Sequence, residues 1–139
     1  MAPRRTTATR PVSPADARAY LSKAKEFLQA ASDALEHQNF TATAGNAVHA
    51  GIAAADAISA MKAGVVWVGE HSQAARHLED VGGPEGRQAG RQLRHLIPLK
   101  NRAEYDPAPM SRADAQAANR AAERIVAIAQ AVTDRGPSE

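Results

Sequence analysis

The residues best suited to chemistry lie together near the end of one leucine-bearing helical stretch, in the segment 100–106. This segment reads Lys-Asn-Arg-Ala-Glu-Tyr-Asp and is followed by a proline-rich loop. Helical spacing puts Lys100 and Glu104 on one face, and Asn101 and Tyr105 on another. Such a group could bind a phosphate through its ammonium and a polar ligand through its amide and phenol. The alternative is that these side chains only tie the helix to its neighbours and close the loop.

A second group of polar residues follows the edge of an apolar stripe in an earlier helical stretch. Asn46 and His49 are three residues apart, and His49 and Asp56 are two turns apart on nearly one face. The phase of the leucines before Lys100 directs its ammonium inward, where an unpaired charge is costly. We therefore predict that Asp56 is the partner of Lys100 and that His49 lies near this polar cluster. The alternative is two half-buried side chains satisfied by hydrogen bonds within the fold.

Other reactive motifs are missing from the sequence. No His-x-x-x-His or Glu-x-x-His spacing places two metal ligands on one helix, so no metal site is predicted. The chain has no cysteine, which excludes disulfides and thiolate nucleophiles. Neither a Gly-x-Ser-x-Gly turn nor a Walker phosphate loop is present, and no cofactor is expected.

One apolar segment is a candidate interface. Val65-Val66-Trp67-Val68 lies between two glycines, and four apolar residues in a loop are expected to be covered rather than fully hydrated. Trp67, with Val66 and Val68, could anchor a second subunit or another protein, because tryptophan is enriched at the energetic centres of interfaces. The alternative is a lid over the end of the domain, and the sequence favours neither.

These segments belong to an alanine-rich chain whose composition favours helices. Hydrophobic residues make up 44% of the 139 residues but aromatic residues only 4%, and alanine is the best helix former and a poor strand former. Apolar periodicity predicts five helices, at about 13–38, 41–64, 72–81, 85–105 and 111–134. Pro98 is expected to kink the fourth. The sequence therefore predicts an all-α, up-down bundle of four long helices and one short helix, without strands.

The two ends of the chain and its overall charge complete the sequence-based interpretation. Residues 1–12, with three arginines, predict a disordered basic arm before the domain at 13–134, and residues 135–139 predict a frayed tail. The net charge of +2 is too small to indicate a nucleic-acid-binding protein by bulk electrostatics. No apolar run approaches the roughly 18 residues of a membrane span, and the N-terminus lacks the apolar centre of a signal peptide. A cytoplasmic protein without membrane contact is expected.

The order of these elements and the segment 100–106 resemble HEPN domains. The similarity covers about residues 14–133, and the motif Ala103-Glu104-Tyr105 is similar to the Ala-Asp/Glu-Tyr motif of small prokaryotic HEPN proteins. The resemblance implies a bundle of four to five helices that commonly dimerises. Many HEPN proteins are metal-independent ribonucleases, including toxins paired with nucleotidyltransferase-like antitoxins. Others are RNA-binding or interaction modules without catalysis.

This chain departs from the catalytic HEPN signature, which is Arg, four to six residues, and then His. By residue match, Lys100 takes the place of the arginine, Asn101 that of the polar residue after it, and Tyr105 that of the histidine. Cleavage of RNA through its 2′-hydroxyl requires proton exchange near neutral pH, for which histidine is suited and tyrosine, which titrates near 10, is not. No other register restores the signature, because no histidine follows an arginine or lysine at that spacing.

The sequence therefore predicts a HEPN-like binding or regulatory module that is dimeric and lacks efficient ribonuclease activity, with no catalytic residue assigned. Its expected partner is a second copy of the chain. The resemblance adds RNA and a nucleotidyltransferase-like antitoxin as further candidate partners. Two alternatives stay open: a ribonuclease toxin that uses Lys100 and Tyr105 in an altered site, and a structural assembly protein in which Trp67 drives association.

Overall fold

The computed structural model describes residues 8–137, most of which are helical. Its five helices are α1 Pro14–Glu36, α2 Phe40–Ala63, α3 Ala74–Val81, α4 Gly83–Tyr105 and α5 Arg112–Arg135. Two short strands, β1 Thr9–Pro11 and β2 Val65–Trp67, form an antiparallel pair beside the bundle. The predicted all-α class with four long helices and one short helix is confirmed. None of the helices in the described part of the chain is long and apolar enough to cross a membrane.

The helix boundaries follow local capping signals. The Ser13 hydroxyl accepts a hydrogen bond from the Asp16 amide at 3.1 Å, and the Asp16 carboxylate accepts one from the Ser13 amide at 2.9 Å. At the start of α5 the Ser111 hydroxyl accepts from the Asp114 amide at 3.0 Å. α2 ends at Gly64, whose φ of 70° lies in the left-handed region that glycine adopts without strain. The two serine caps satisfy backbone amides that the start of a helix leaves unpaired.

α2 is the central helix of the bundle and packs against α1, α4 and α5. Fourteen of its 24 residues are buried, and most of them are alanine. At Gly51 there is no room for a side chain, because an added Cβ would overlap Leu96 of α4 and lie 3.3 Å from Ile125 of α5. Small residues thus let three helices approach closely at this level. Further along the bundle, the Glu85 carboxylate joins the helix ends by binding Lys62 and Arg135.

The strand pair corrects two predictions: that of a disordered arm, as far as its residues 9–11 are concerned, and that of a chain without strands. Within the described residues, β1 pairs with β2, and Val66, the partner of Arg10 in this pairing, is only 2% exposed. The extended segment at 65–67 leaves backbone amides and carbonyls that need partners, and the arm supplies them. Residues 1–7 lie outside the described residues.

The C-terminal half agrees with the predicted boundaries within a few residues. α4 continues through Pro98 to Tyr105, and the kink expected at Pro98 stays a prediction. α5 includes Arg135, the first residue of the predicted frayed tail, and the guanidinium of Arg135 binds the Glu85 carboxylate. Residues 138–139 lie outside the described residues.

Candidate functional site

The segment at the end of α4 forms its own ion pairs. The Lys100 ammonium lies 3.3 Å from the Glu104 carboxylate one turn later, and Arg102 binds Asp114 of α5 at 2.9 Å. Tyr105 is 75% exposed. Within the described residues, neither its hydroxyl nor the exposed Asn101 amide has a hydrogen-bond partner. The segment is therefore an exposed helix end whose two cations are already paired.

The predicted pair between Asp56 and Lys100 is wrong. α2 and α4 run antiparallel, with Gly51 against Leu96, so at 1.5 Å per residue Asp56 and Lys100 lie roughly 13 Å apart along the bundle. Lys100 is half-buried, as the leucine phase predicted. Its partner is instead Glu104, an acid four residues later on the same helix.

Asp56 and His49 instead line an open groove between α2 and α1. The groove has a volume of about 190 Å³, and its α1 wall includes Tyr20, Lys23 and Phe27. The His49 ring lies 5.2 Å from the Phe27 ring. The structure thus brings His49 and Asp56 to one surface, as their spacing predicted, but separates both from the segment at 100–106.

The Asp56 carboxyl is the most strongly perturbed titratable group in this groove. Burial raises its pKa from 3.8 to about 7, and the positive charges of Lys23 and Arg10 offset only part of that rise. The Arg10 guanidinium is itself held by donating to the Tyr20 hydroxyl at 2.9 Å. No described residue donates a hydrogen bond to the Asp56 carboxyl or forms an ion pair with it. A further cation close to this carboxyl would favour its charged form.

A second, smaller cavity adjoins the groove at Asp56 and Ile52. It has a volume of about 20 Å³ and is also lined by Trp67, His71 and His77. This is room for about one water molecule, not for a substrate. In residues 8–137 no three histidine, aspartate or glutamate side chains are placed to hold a metal ion.

A hydrogen-bond network that the sequence did not reveal closes this end of the bundle. The Ser59 hydroxyl donates to the Val65 carbonyl at 2.6 Å, so it accepts from Nε2 of His77 at 2.9 Å. Burial lowers the pKa of His77, which favours the neutral ring. The Trp67 ring lies 5.3 Å from the His77 ring, and its Nε1 donates to the Glu70 carbonyl. Because the Ser59 proton is committed to a carbonyl, this serine–histidine pair is a structural clasp rather than a nucleophile with its base.

The same hydrogen bonds hold the apolar segment 65–68 against the bundle. Val66 is buried against Ala17 and Met61, so it cannot be a surface anchor in this fold. Trp67 is half-buried, whereas Val68 is 54% exposed. The burial of Val66 agrees with the alternative of a lid over the end of the domain. The predicted interface role stays a prediction for Trp67 and Val68 alone.

A third surface, absent from the sequence-based predictions, lies between α4 and α5. Two open grooves of about 350 and 380 Å³ share Gln92 and Arg124. Their walls also carry Arg91, His95 and Arg120, and the remaining lining includes Asp114, Leu99 and Ile128. We call this surface the α4–α5 groove. The groove needs one wall from each helix, so neither helix reveals it alone.

Comparison with known proteins gives one match over most of this structure. Neither the curated proteins nor the solved structures that were searched contain a match. A family model does match residues 17–132, which include nearly all of α1 to α5, and its description is "HEPN domain".

Proposed function

Because the chain belongs to the HEPN domain family, we propose that it acts as a homodimeric HEPN binding module that does not cleave RNA. The observation that carries this proposal is the ion pair of Lys100 with Glu104, formed where the catalytic signature of the family places an arginine. Tyr105 stands in the position of the signature histidine and points its exposed side chain to solvent. The segment therefore lacks both an available cation and a base suited to neutral pH.

Electrostatics around the segment also disfavour a phosphate there. Lys100 and Arg102 each already bind a carboxylate, Glu104 and Asp114 respectively. Asp106 follows directly and adds another acid. A scissile phosphate would have to displace these acids and then face their negative charge, which opposes the anionic transition state of cleavage.

The surface proposed for dimerisation is the Asp56 face, made of Tyr20, Lys23, His49, Ile52 and Asp56. A twofold interface brings the same patch of both subunits together, so it must complement itself. The Asp56 face meets this requirement because it carries an acid and a cation. Asp56 would contact Lys23 of the partner subunit, and the reverse contact would form on the other side of the axis. A nearby cation offsets the burial cost that raises the pKa of the Asp56 carboxyl.

The absence of cleavage is tested with labelled single-stranded RNA and four proteins: wild type, Lys100→Ala, Tyr105→Phe and a control, Arg76→Ala. Arg76 forms an exposed pair with Asp80 on α3 and shares the cation type without belonging to the segment. All four proteins should show the same background rate of RNA cleavage. Cleavage that is lost in the two segment variants and kept in Arg76→Ala would contradict the proposal and favour the altered ribonuclease.

Dimerisation is tested by sedimentation of two charge reversals, Lys23→Glu and Asp56→Lys, at pH 8. Each variant alone should be monomeric, because both contacts across the axis become repulsive. An equimolar mixture of the two variants should form a heterodimer, because each subunit then presents two charges of one sign to two charges of the opposite sign on its partner. Lys25→Glu, an exposed change on the same helix, should leave the wild-type dimer intact. A monomeric wild type, or a mixture that stays monomeric, rules out this interface.

A further inference from the structure

Positive charge is concentrated on the α4–α5 side of the bundle. Helices α4 and α5 contain nine lysines and arginines against five aspartates and glutamates, whereas α1, α2 and α3 together contain five against seven. Several arginines of α4 and α5 are already held by carboxylates: Arg94 by Glu79, Arg102 by Asp114 and Arg135 by Glu85. Arg91, Arg120 and Arg124 line the α4–α5 groove and are exposed, and no acid among the described residues forms an ion pair with them. The groove therefore offers three cations to the acids of a partner.

Much of the remaining lining is apolar. Leu99 and Ile128 lie at opposite ends of the groove, and both are half-buried against the core. Between them α5 contributes small side chains, those of Ala117, Ala118 and Ala121. Small residues let another helix approach to the roughly 8–10 Å at which helices pack. The exposed His95 ring adds a group that can contact an apolar side chain or donate to a carboxylate. The groove therefore suits a ligand that is apolar as well as anionic, because a purely polar ligand would leave the apolar strip hydrated.

The charges are unevenly placed along the groove, which gives a bound partner a direction. α4 and α5 run antiparallel, with Arg102 near the end of α4 bound at 2.9 Å to Asp114 in the first turn of α5. Asp114 therefore lies at the Leu99 end of the groove, where Arg102 already neutralises its charge. Arg91 and Arg124 line the part of the groove towards the opposite end. The acids of a partner would gather at that opposite end, and its apolar side chains would lie along the alanines.

We propose that the α4–α5 groove binds an amphipathic helix of a second protein, one that carries aspartates or glutamates beside an apolar stripe. The lining extends along α4 from Gln88 to Leu99, roughly 16 Å, which is room for about three turns of helix. A second copy of the chain fits poorly, because the three arginines would face the same three arginines across a twofold axis. A single strand of nucleic acid also fits poorly. It would leave Leu99 and Ile128 without apolar partners, and the His95 ring is the one ring among the described lining residues on which a base could stack.

The probe is a fluorescently labelled synthetic helix of about four turns that carries leucines on one face and glutamates on both sides of them. Two matched peptides have lysines in place of the glutamates or serines in place of the leucines. By fluorescence anisotropy in dilute salt, wild type should bind the first peptide roughly tenfold more tightly than either of the others.

Arg120→Gln/Arg124→Gln tests the cations of the groove. This variant should bind the acidic leucine peptide about fivefold more weakly than wild type, because it removes two of the three arginines. The control, Arg18→Gln/Arg76→Gln, removes the same charge from exposed positions on α1 and α3. The control should stay within about twofold of wild type, because it changes only the long-range attraction of the acidic peptide.

Ala117→Gln tests the apolar part of the groove without changing its charge. Ala117 is exposed on α5, so the longer side chain occupies space in the groove and leaves the core unchanged. This variant should bind the acidic leucine peptide about fivefold more weakly than wild type, because the helix can no longer approach closely. Ala30→Gln, at an exposed position of α1, is the matched control and should not change the affinity. Circular dichroism and sedimentation of each variant check that its fold and oligomeric state are those of wild type.

Docking in the α4–α5 groove gives the proposed binding module a partner, but it depends on neither the Asp56 face nor the segment 100–106. A failure of the peptide to bind therefore leaves the tests of dimerisation and of RNA cleavage unaffected. The proposal is overturned if wild type does not bind the acidic leucine peptide, or if a control variant loses as much affinity as its groove variant. Equal binding of the leucine and serine peptides would overturn it in favour of a ligand recognised by charge alone. Single-stranded RNA that displaces the peptide at an equal concentration of negative charge would overturn it in favour of a nucleic acid.

Discussion

Replacing Asp56 by asparagine removes a carboxyl group whose ionisation is disfavoured by burial in the monomer. Burial raises the pKa of Asp56 from 3.8 to about 7. Between these two values the folded protein binds a proton that the unfolded chain has released, so the free energy of unfolding falls as pH rises through this window. Three pKa units at 1.36 kcal/mol each amount to about 4 kcal/mol once the pH exceeds 7. Below pH 3.8 the loss is absent.

The variant Asp56→Asn should therefore differ from wild type in a pH-dependent way. In dilute protein, where monomers dominate, Asp56→Asn should be more stable than wild type by up to about 4 kcal/mol at pH 8.5. The difference should shrink steadily and reach its minimum near pH 4. Urea denaturation followed by circular dichroism measures the free energy of unfolding across this range. Asp80→Asn, at an exposed position of α3, is the control and should show no comparable trend.

Protein concentration separates this effect from dimerisation. If the Asp56 face pairs with Lys23 of the partner subunit, the ionised carboxylate becomes favourable in the dimer, and concentrated wild type should gain stability at pH 8.5 that Asp56→Asn does not gain. The reasoning is refuted if dilute Asp56→Asn is less stable than dilute wild type at pH 8.5. That result would mean that the ionised carboxylate is already stabilised within one subunit.

Two further predictions concern the packing around α2. Gly51→Ala should lower the free energy of unfolding by about 1–3 kcal/mol, because its methyl would overlap Leu96. Gly45→Ala, on the same helix with no atom within 4 Å of the new methyl, should instead raise it by about 0.5–1 kcal/mol; equal effects in urea denaturation would contradict the close approach of α4. Ser59→Ala should lower the free energy of unfolding by about 1–3 kcal/mol, because His77 loses its acceptor. An unchanged denaturation midpoint would show that water replaces the hydroxyl.

The helices could be predicted from the sequence because their signals are local. Ser13 and Ser111 are each followed three residues later by an aspartate, and Gly64 ends an apolar stripe. Each signal acts within one or two turns of the residue that carries it. The strand pair is different, because Arg10 faces Val66 across 56 positions of the chain. Neither strand has the length or alternation that would identify it alone, so the pairing appears only in the folded protein.

The positions of the site residues could also be predicted only in part. Periodicity gives the angle of a residue around its helix, which is why His49 and Asp56 were correctly expected on one face. Periodicity does not give the axial offset between two helices, and this offset separates Asp56 from Lys100. Arg120 was not predicted as part of a site, because its groove needs a second wall from α4. Relations between helices therefore had to come from the packed structure.

The charge patterns of the two surfaces assign them different roles. The Asp56 face carries both signs, so a second copy can complement it, whereas the α4–α5 groove carries three arginines against one acid, Asp114, and this excess of positive charge would repel its own copy across a twofold axis. A dimer formed through the Asp56 face leaves both α4–α5 grooves accessible, because the groove between α1 and α2 uses neither α4 nor α5.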